Sequence, residues 1–325
     1  MVVGIISHVL CSEHDMGESH PECPARLTSI EKHLGLAGLD EAGLDKTVEN
    51  IEAVSIPKAL LSLAHDDVYI DYVFDNSPND GLFPLDLDTT MTPSTLAAAL
   101  LSAGAAVQAV DLVMENKVTA VFCATRPPGH HAERNKAMGF CFFNNVAIAA
   151  AYAKQKYQLK KIAIVDFDVH HGNGTEDIVS GQPGVLFCST FQHPFYPFSG
   201  VSDGVANGGN DADGHGETAS NVINTPLSAN AGSAEFRQAI RDHWLPALNQ
   251  FKPEMIIISA GFDAHAEDDM SQVQLYDEDY RWVTDELKFV ADQYCQGRMV
   301  SVLEGGYNLE ALGRSVVAHI QGLIG

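Results

Sequence analysis

The sequence is poor in positive charge. Nineteen lysines and arginines stand against 43 aspartates and glutamates, a formal net charge of −24. Such a surface repels nucleic acid and anionic membrane; it serves solubility and can attract cationic substrates. Paired cysteines are also missing. Cys11, Cys23, Cys123, Cys141, Cys188 and Cys295 form no CxxC, and several sit in apolar runs (VFCAT, FCFFN, LFCST) where they read as small buried hydrophobes. That pattern excludes a disulfide scaffold and points to a reducing cytoplasm. The opening MVVGIISHVL has no basic n-region and only a short apolar run, so it predicts a first strand and not a signal peptide. The longest apolar stretch, 96–114, is broken by Ser102, Gln108 and Asp111, which favours a buried Ala-rich helix over a membrane span. There is no Ser/Pro/Gly-rich linker and no internal repeat. The 325 residues, 46% of them apolar, allow one large α/β domain or two smaller ones, and the missing linker selects one domain over 1–325.

What is present is an alternation. Short β-branched runs at 2–6, 118–123, 162–165, 185–190, 255–259 and 299–303 predict strands buried on both faces. Longer helical patterns lie at 24–34, 92–114, 144–157, 234–249, 277–294 and 309–323, with Pro24 and Pro93 where prolines open helices. The expectation is an α/β fold with a mostly parallel central sheet flanked by helices on both faces. The stretches 75–92 and 192–221 read as long loops, which inside a compact domain are often functional.

Chemistry-bearing residues follow four of these strands: ATRPPGHHAE, DFDVHHGNG, AGFDAH and EGGYN. Ligands of open parallel sheets bind beyond the carboxyl ends of the strands, so the four turns belong to one site. Asp168 and His170, two apart, project to the same side if the chain is still extended there. A carboxylate and an imidazole suit a divalent transition metal, zinc above all, and Asp263 is the natural third ligand. His130 and His131 form an adjacent pair suited to acid–base work near a metal-bound water. Such histidines need orienting acceptors, and Asp166 and Asn173 are available. Tyr307, after Gly305 and Gly306, could donate to a developing oxyanion.

These residues are recognisable together. RPPGHHAERNKAMGFCFFNN, DFDVHHGNG, SAGFDAH and EGGYN closely resemble the signature blocks of the histone deacetylase superfamily, and HPECPARL and DLDTTMTPSTLAAALLSAG are similar to further family segments. The likeness spans essentially the whole chain. Asn173 and the HPEC opening look more like class II than class I, and a chain without extra domain or tail suits a stand-alone bacterial member.

The resemblance implies a single-domain arginase–deacetylase fold and metal-dependent deacylation of an amide. It assigns zinc to Asp168, His170 and Asp263, the general base and acid to His131, a charge-tuning pair to His130 and Asp166, and the carbonyl hydrogen bond to Tyr307. It implies substrate contacts at Gly139, Gly305 and Gly306, and a narrow tunnel walled by Phe140 and, less closely, Tyr196. It places Arg26 near an internal acetate channel, against the plainer reading of a surface salt bridge. It adds a structural potassium held by Asp166, the backbone of Asp168 and His170, and Ser189. His8, His14, His20 and His215 read as plain surface.

The substrate implied is an acyl-lysine peptide or protein, or a small acylated amine. In the polyamine-selective branch a glutamate guards the entrance; counted without gaps, Met270 holds that position here, which favours acyl-lysine. A shift of one residue along Glu267, Asp268 and Asp269 would reverse that reading. Three alternatives stand beside it: an acetylpolyamine or other small-amide hydrolase, a binuclear manganese ureohydrolase, and a non-catalytic binding module. The intact acid–base pair and Tyr307 weigh against the last. Homo-oligomerisation stays open.

Overall fold

The computed structural model describes residues 2–39, 47–201 and 219–325. Eight strands form one sheet: β1 (Val3–Ser7), β2 (Val48–Glu52), β5 (Ala120–Cys123), β6 (Ile162–Asp166), β7 (Val185–Gln192), β8 (Val222–Leu227), β9 (Met255–Ala260) and β10 (Met299–Leu303). Their order is β2-β1-β5-β10-β9-β6-β7-β8, and every pairing is parallel. Every residue of β5, β6, β9 and β10 is buried, as continuous apolar runs in a two-sided parallel sheet should be. A two-residue antiparallel pair, β3 (Phe83–Pro84) with β4 (Thr90–Met91), interrupts the expected 75–92 loop.

The helices that pack against this sheet include α4 (Thr95–Met114), α5 (Asn145–Tyr157), α9 (Asp277–Tyr294) and α10 (Leu309–Ile324), and α1 (Ala25–Leu36) packs on α10. Helices α1, α10 and α9 pack in one row and α4 against α5 in another. Helix α4 is long and apolar enough to cross a membrane, but 67% of its apolar window is buried inside the molecule, as the Ala-rich reading expects. The helical run expected at 234–249 is three segments, α7 (Ser233–Ala239), a π-helical stretch at Ile240–Trp244, and α8 (Leu245–Phe251). Three short helices were not legible beforehand: α2 (Lys58–Leu61), α3 (Asp67–Asp75) and α6 (Asn173–Val179).

The two sheet edges were also not legible. Strand β2, VENIE, has no buried residue, and β8, VINTPL, mixes buried and half-buried residues and carries Pro226. Edge strands bury less and tolerate proline, so they lack the continuous apolar signature. The consequence for function lies in the middle of the sheet. The four strands that precede the polar motifs, β5, β10, β9 and β6, are four consecutive neighbours. Because all run parallel, their carboxyl-end turns emerge side by side.

Candidate functional site

The turn after β6 is organised by its own carboxylates. Asp166 Oδ1 accepts from the Asp168 amide at 3.0 Å, and Asp168 Oδ1 from the His170 amide at 2.9 Å. The chain is therefore a tight turn here, not the extended continuation that spacing suggested; Asp168 and His170 converge because the turn folds them together. Neighbouring turns are stitched to it. Asp263 Oδ1, beyond β9, accepts from the Val169 amide at 3.0 Å, and Asp168 Oδ2 accepts from the Gly305 amide, beyond β10, at 2.9 Å. A side chain at Gly305 would collide with both Asp168 and Asp263, which explains a glycine there.

Asp168, His170 and Asp263 are buried, with one ligand atom from each all within 4.8 Å of one another. His170 Nδ1 lies 3.0 Å from Asp168 Oδ1 and 3.1 Å from Asp263 Oδ2. Burial opposes charge on His170, yet the hydrogen bonds to Asp168 and Asp263 drive it up to about 10. Burial and the Asp168 carboxylate push Asp263 up to about 6. Asp263 Oδ2 is buried, with His170 Nδ1 at 3.1 Å as its ion-pair contact but no well-aligned hydrogen bond. Two carboxylates and an imidazole at this spacing favour a cation between them, and an oxygen–nitrogen–oxygen donor set fits a zinc-like divalent ion.

The tandem histidines enter from the turn after β5. His130 Nδ1 lies 3.0 Å from Asp166 Oδ2, and His131 Nδ1 2.7 Å from Asn173 Oδ1. Both expected acceptors are thus in place. The ring centroids of the two histidines are 4.0 Å apart, and those of His131 and His170 5.9 Å. Their electrostatics diverge. Burial opposes charging His130, but Asp168 and Asp166 outweigh it and hold the imidazole well above its ordinary range. Burial, with His130 and His170 nearby, holds His131 well below. The two imidazoles are thus pushed in opposite directions, His130 toward its charged form and His131 toward its neutral one.

Two supporting acids escaped sequence reasoning. Glu133 Oε1 accepts from Asn173 Nδ2 at 2.7 Å, which fixes the amide so that its oxygen faces His131. Glu304 Oε2 accepts from the amides of Gly129 and His130 at 2.6 and 3.1 Å and holds the histidine turn against β10. Both stand inside quoted motifs, HHAE and EGGYN, where the histidines and tyrosine drew the attention.

A cavity of about 210 Å³ opens above the cluster. His131, His170, Gly139, Phe140, Tyr196, Met270 and Tyr307 line it, in agreement with the sequence expectation; Asp88 and Phe195 line it as well and were not expected. Phe195 stacks on His170 with centroids 5.6 Å apart, and Phe140 meets Tyr307 edge to face at 6.0 Å. Asp88 accepts from the Gly139 amide at 3.0 Å and the Tyr196 hydroxyl at 3.1 Å, so it braces both walls. Gly139, at φ +57, packs so closely on His131 that a Cβ would strike the imidazole.

Neither Gly305 nor Gly306 lines the cavity; the Gly305 amide donates to Asp168, and the Gly306 carbonyl accepts from Arg26 Nε at 2.6 Å. Arg26 is not a surface residue. It is fully buried beneath Tyr307, its guanidinium 5.0 Å from the ring centroid. Ser189 pairs in register with Asp166, and its buried hydroxyl lacks a hydrogen-bond partner. His14 corrects the surface reading: it is fully buried beside Glu22. His215 lies outside the described residues.

The comparisons with known proteins agree with this geometry. The family model of the histone deacetylase domain matches residues 20–323. Type-2 histone deacetylase 1 of Dictyostelium discoideum is 32% identical over 97% of this chain and 28% of its own length. The polyamine deacetylase HDAC10 of Mus musculus is 38% identical over 96% of this chain and 46% of its own. The chain thus spans less than half the length of these two relatives. The crystal structure of the HDA15 HD domain superposes with a TM-score of 0.88 at 32% identity, covering 99% of this chain and 89% of that one. The chain belongs to the histone deacetylase family, deacetylases that hydrolyse amides.

Proposed function

We propose that this protein is a zinc-dependent deacylase of N-acyl-lysine in peptides or proteins. The observation that carries the reading is one cavity lined by His131, Tyr307 and His170, the last of which belongs to the Asp168–His170–Asp263 cluster. Asp168, His170 and Asp263 would hold the zinc, which when bound supplies Lewis acidity that lowers the pKa of water to about 7 and polarises a carbonyl. His131, neutral and oriented by Asn173, takes the proton of the attacking water and passes it to the departing amine. His130 remains paired with Asp166 and tunes the charge beside it. Tyr307 donates its hydroxyl to the carbonyl oxygen as negative charge grows there. Acetate, or another acyl acid, and a free amine leave.

The narrow aromatic walls of Phe140 and Tyr196 suit an alkyl chain carrying its acyl amide inward. The rim supports lysine over polyamine. Met270 lines the cavity, whereas Glu267 and Asp269 are exposed and not part of its lining. A methionine offers nothing to a second ammonium but can lie against a peptide. Asp166 and the orphaned Ser189 hydroxyl supply oxygen of the kind a structural potassium takes, together with the backbone of Asp168 and His170. All six cysteines are free, consistent with a cytoplasmic location.

The test is a panel of acetyl-lysine peptides, longer acyl-lysines and N8-acetylspermidine, with elemental analysis of the purified protein. The expected result is chelator-sensitive turnover restored by zinc, with kcat/KM higher for an acetyl-lysine peptide. A preference of about tenfold for the polyamine, a 1.4 kcal/mol difference in transition-state binding, overturns the lysine assignment.

A further inference from the structure

The peptide unit between Gly306 and Tyr307 is held at both ends. Its carbonyl oxygen accepts from Arg26 Nε at 2.6 Å, and its N–H donates to Asp268 Oδ2 at 2.6 Å. Gly306 has φ +119, a region open to glycine, so the backbone torsions before Tyr307 are soft unless something fixes them. Two buried groups of opposite charge do so, through charge-assisted hydrogen bonds. The orientation of this peptide plane sets where the Tyr307 ring starts, and hence where its hydroxyl can reach.

Asp268 does more than close this clamp. Its Oδ2 also accepts from the Asn308 amide at 2.9 Å, and its Oδ1 from the Met270 amide at 3.1 Å. One carboxylate, 6% exposed, therefore holds three backbone N–H groups from two separate segments, the rim that carries Met270 and the turn that carries Tyr307. No lysine or arginine pairs with it among the described residues. The segments are tied once more by Asn308 Nδ2, which donates to the Glu267 carbonyl at 2.8 Å, and the rim segment is closed on itself by Ser271 Oγ, which donates to the Asp263 carbonyl at 3.1 Å.

We propose that Asp268 is the positioning residue for Tyr307: its carboxylate fixes the 306–307 peptide plane and locks the tyrosine turn to the Met270 rim. It touches neither substrate nor reacting atoms, and its effect passes through the tyrosine hydroxyl. The proposal rests on the role given to Tyr307 above.

The experiment is Asp268→Ala, with Asp268→Ser as the second variant, each alone and combined with Tyr307→Phe. Alanine removes both acceptor oxygens, whereas asparagine could keep its one oxygen on the Tyr307 and Asn308 amides. All proteins are assayed on an acetyl-lysine peptide well below their own thermal midpoints, with bound metal measured. Since misplacement by about 1 Å can cost on the order of a hundredfold, Asp268→Ala should lower kcat by about tenfold or more while KM stays within about threefold. Metal content should match wild type. In the Tyr307→Phe background the same substitution should cost less than about twofold, because the hydroxyl it positions is gone. Wild-type kcat in Asp268→Ala, or an equal loss with and without the hydroxyl, overturns the proposal. So does failure of both variants to fold, which would make Asp268 a structural staple. A Tyr307→Phe enzyme of normal rate overturns the reading of Tyr307 itself and is separately visible.

Discussion

Two buried groups of acids in this protein are built on opposite terms. Glu22 is fully buried and caged: both its carboxylate oxygens meet Arg126, Arg26 Nη1 approaches at 3.1 Å, and His14 Nε2 at 3.5 Å. Burial opposes its charge, but the guanidinium of Arg126, with His14 and Arg26, holds it down to about 2. Asp166, Asp168, Asp263 and Glu304 are equally buried, and among the described residues only imidazoles form ion pairs with them. Burial pushes Asp263 up to about 6 and Glu304 to about 7. The first group is closed and short of nothing. The second has only imidazoles as cationic partners where the four turns meet, and that difference suits a candidate cation site more than a closed ion network. Both lie at the carboxyl end of the same sheet, joined by Arg26, so the difference is one of charge balance and not of burial.

The sharpest way to break the comparison is to remove one member from each group. Asp263→Ala should abolish most activity and metal binding while leaving the fold intact, since it takes away a carboxylate that burial disfavours. Arg126→Met should do the reverse. It strands Glu22 without its main partner and should cost about 3–5 kcal/mol of stability. Elemental analysis and denaturant unfolding of the two variants separate the outcomes. Full metal occupancy in Asp263→Ala would remove that residue from the site.

Acid should distinguish the groups next. The folded value of Glu22 lies below the unfolded one, so its contribution is present above pH 4.5 and lost as pH falls through about 2. His14, which burial lowers to about 4, also has a depressed folded value, so its contribution is lost as pH falls from 6.5 through about 4. Glu304 has the opposite sign. Its raised value gives stability below pH 4.5 that is lost as pH rises through about 7. Replacing Glu304 by Gln should therefore flatten the loss between those two pH values and leave the acid limb unchanged. Thermal midpoints across pH 2–8 test this, and an unaltered profile on the neutral side would contradict the charge-deficient picture of the site.

The smallest effect belongs to the rim. Met270→Glu should raise kcat/KM for N8-acetylspermidine relative to an acetyl-lysine peptide by up to several-fold, since a partly exposed charge pair is worth at most about 1 kcal/mol. No change in that ratio would mean that the rim at Met270 does not read the distal end of the substrate.

Much of the site was legible in advance because its chemistry is local. Asp168 with His170, and His130 beside His131, are pairs within a turn, and turns at strand ends carry recognisable residues. Glu133, Glu304, Asp268 and Asp88 were harder to find because each works on the backbone or amide of a residue far along the chain. A carboxylate that accepts from an N–H 39 to 175 positions away leaves no periodicity and no motif of its own. Arg26 shows the same limit: from sequence it could be a surface ion-pair partner, and only packing puts it beneath Tyr307.

By itself, the sequence determined the alternation of buried strands and helices, the parallel sheet, and which turns carry the candidate metal ligands and candidate proton-transfer groups. Those follow from apolar runs and from residue types that are costly to bury without a purpose. Tertiary structure decided the rest. It set the strand order that brings β5, β10, β9 and β6 side by side, closed the edges with β2 and β8, and caged Glu22 while leaving Asp263 in need of a cation. The physical reason is range: burial pattern and turn chemistry act between near neighbours, whereas charge balance and backbone clamping depend on which distant segments the sheet makes adjacent.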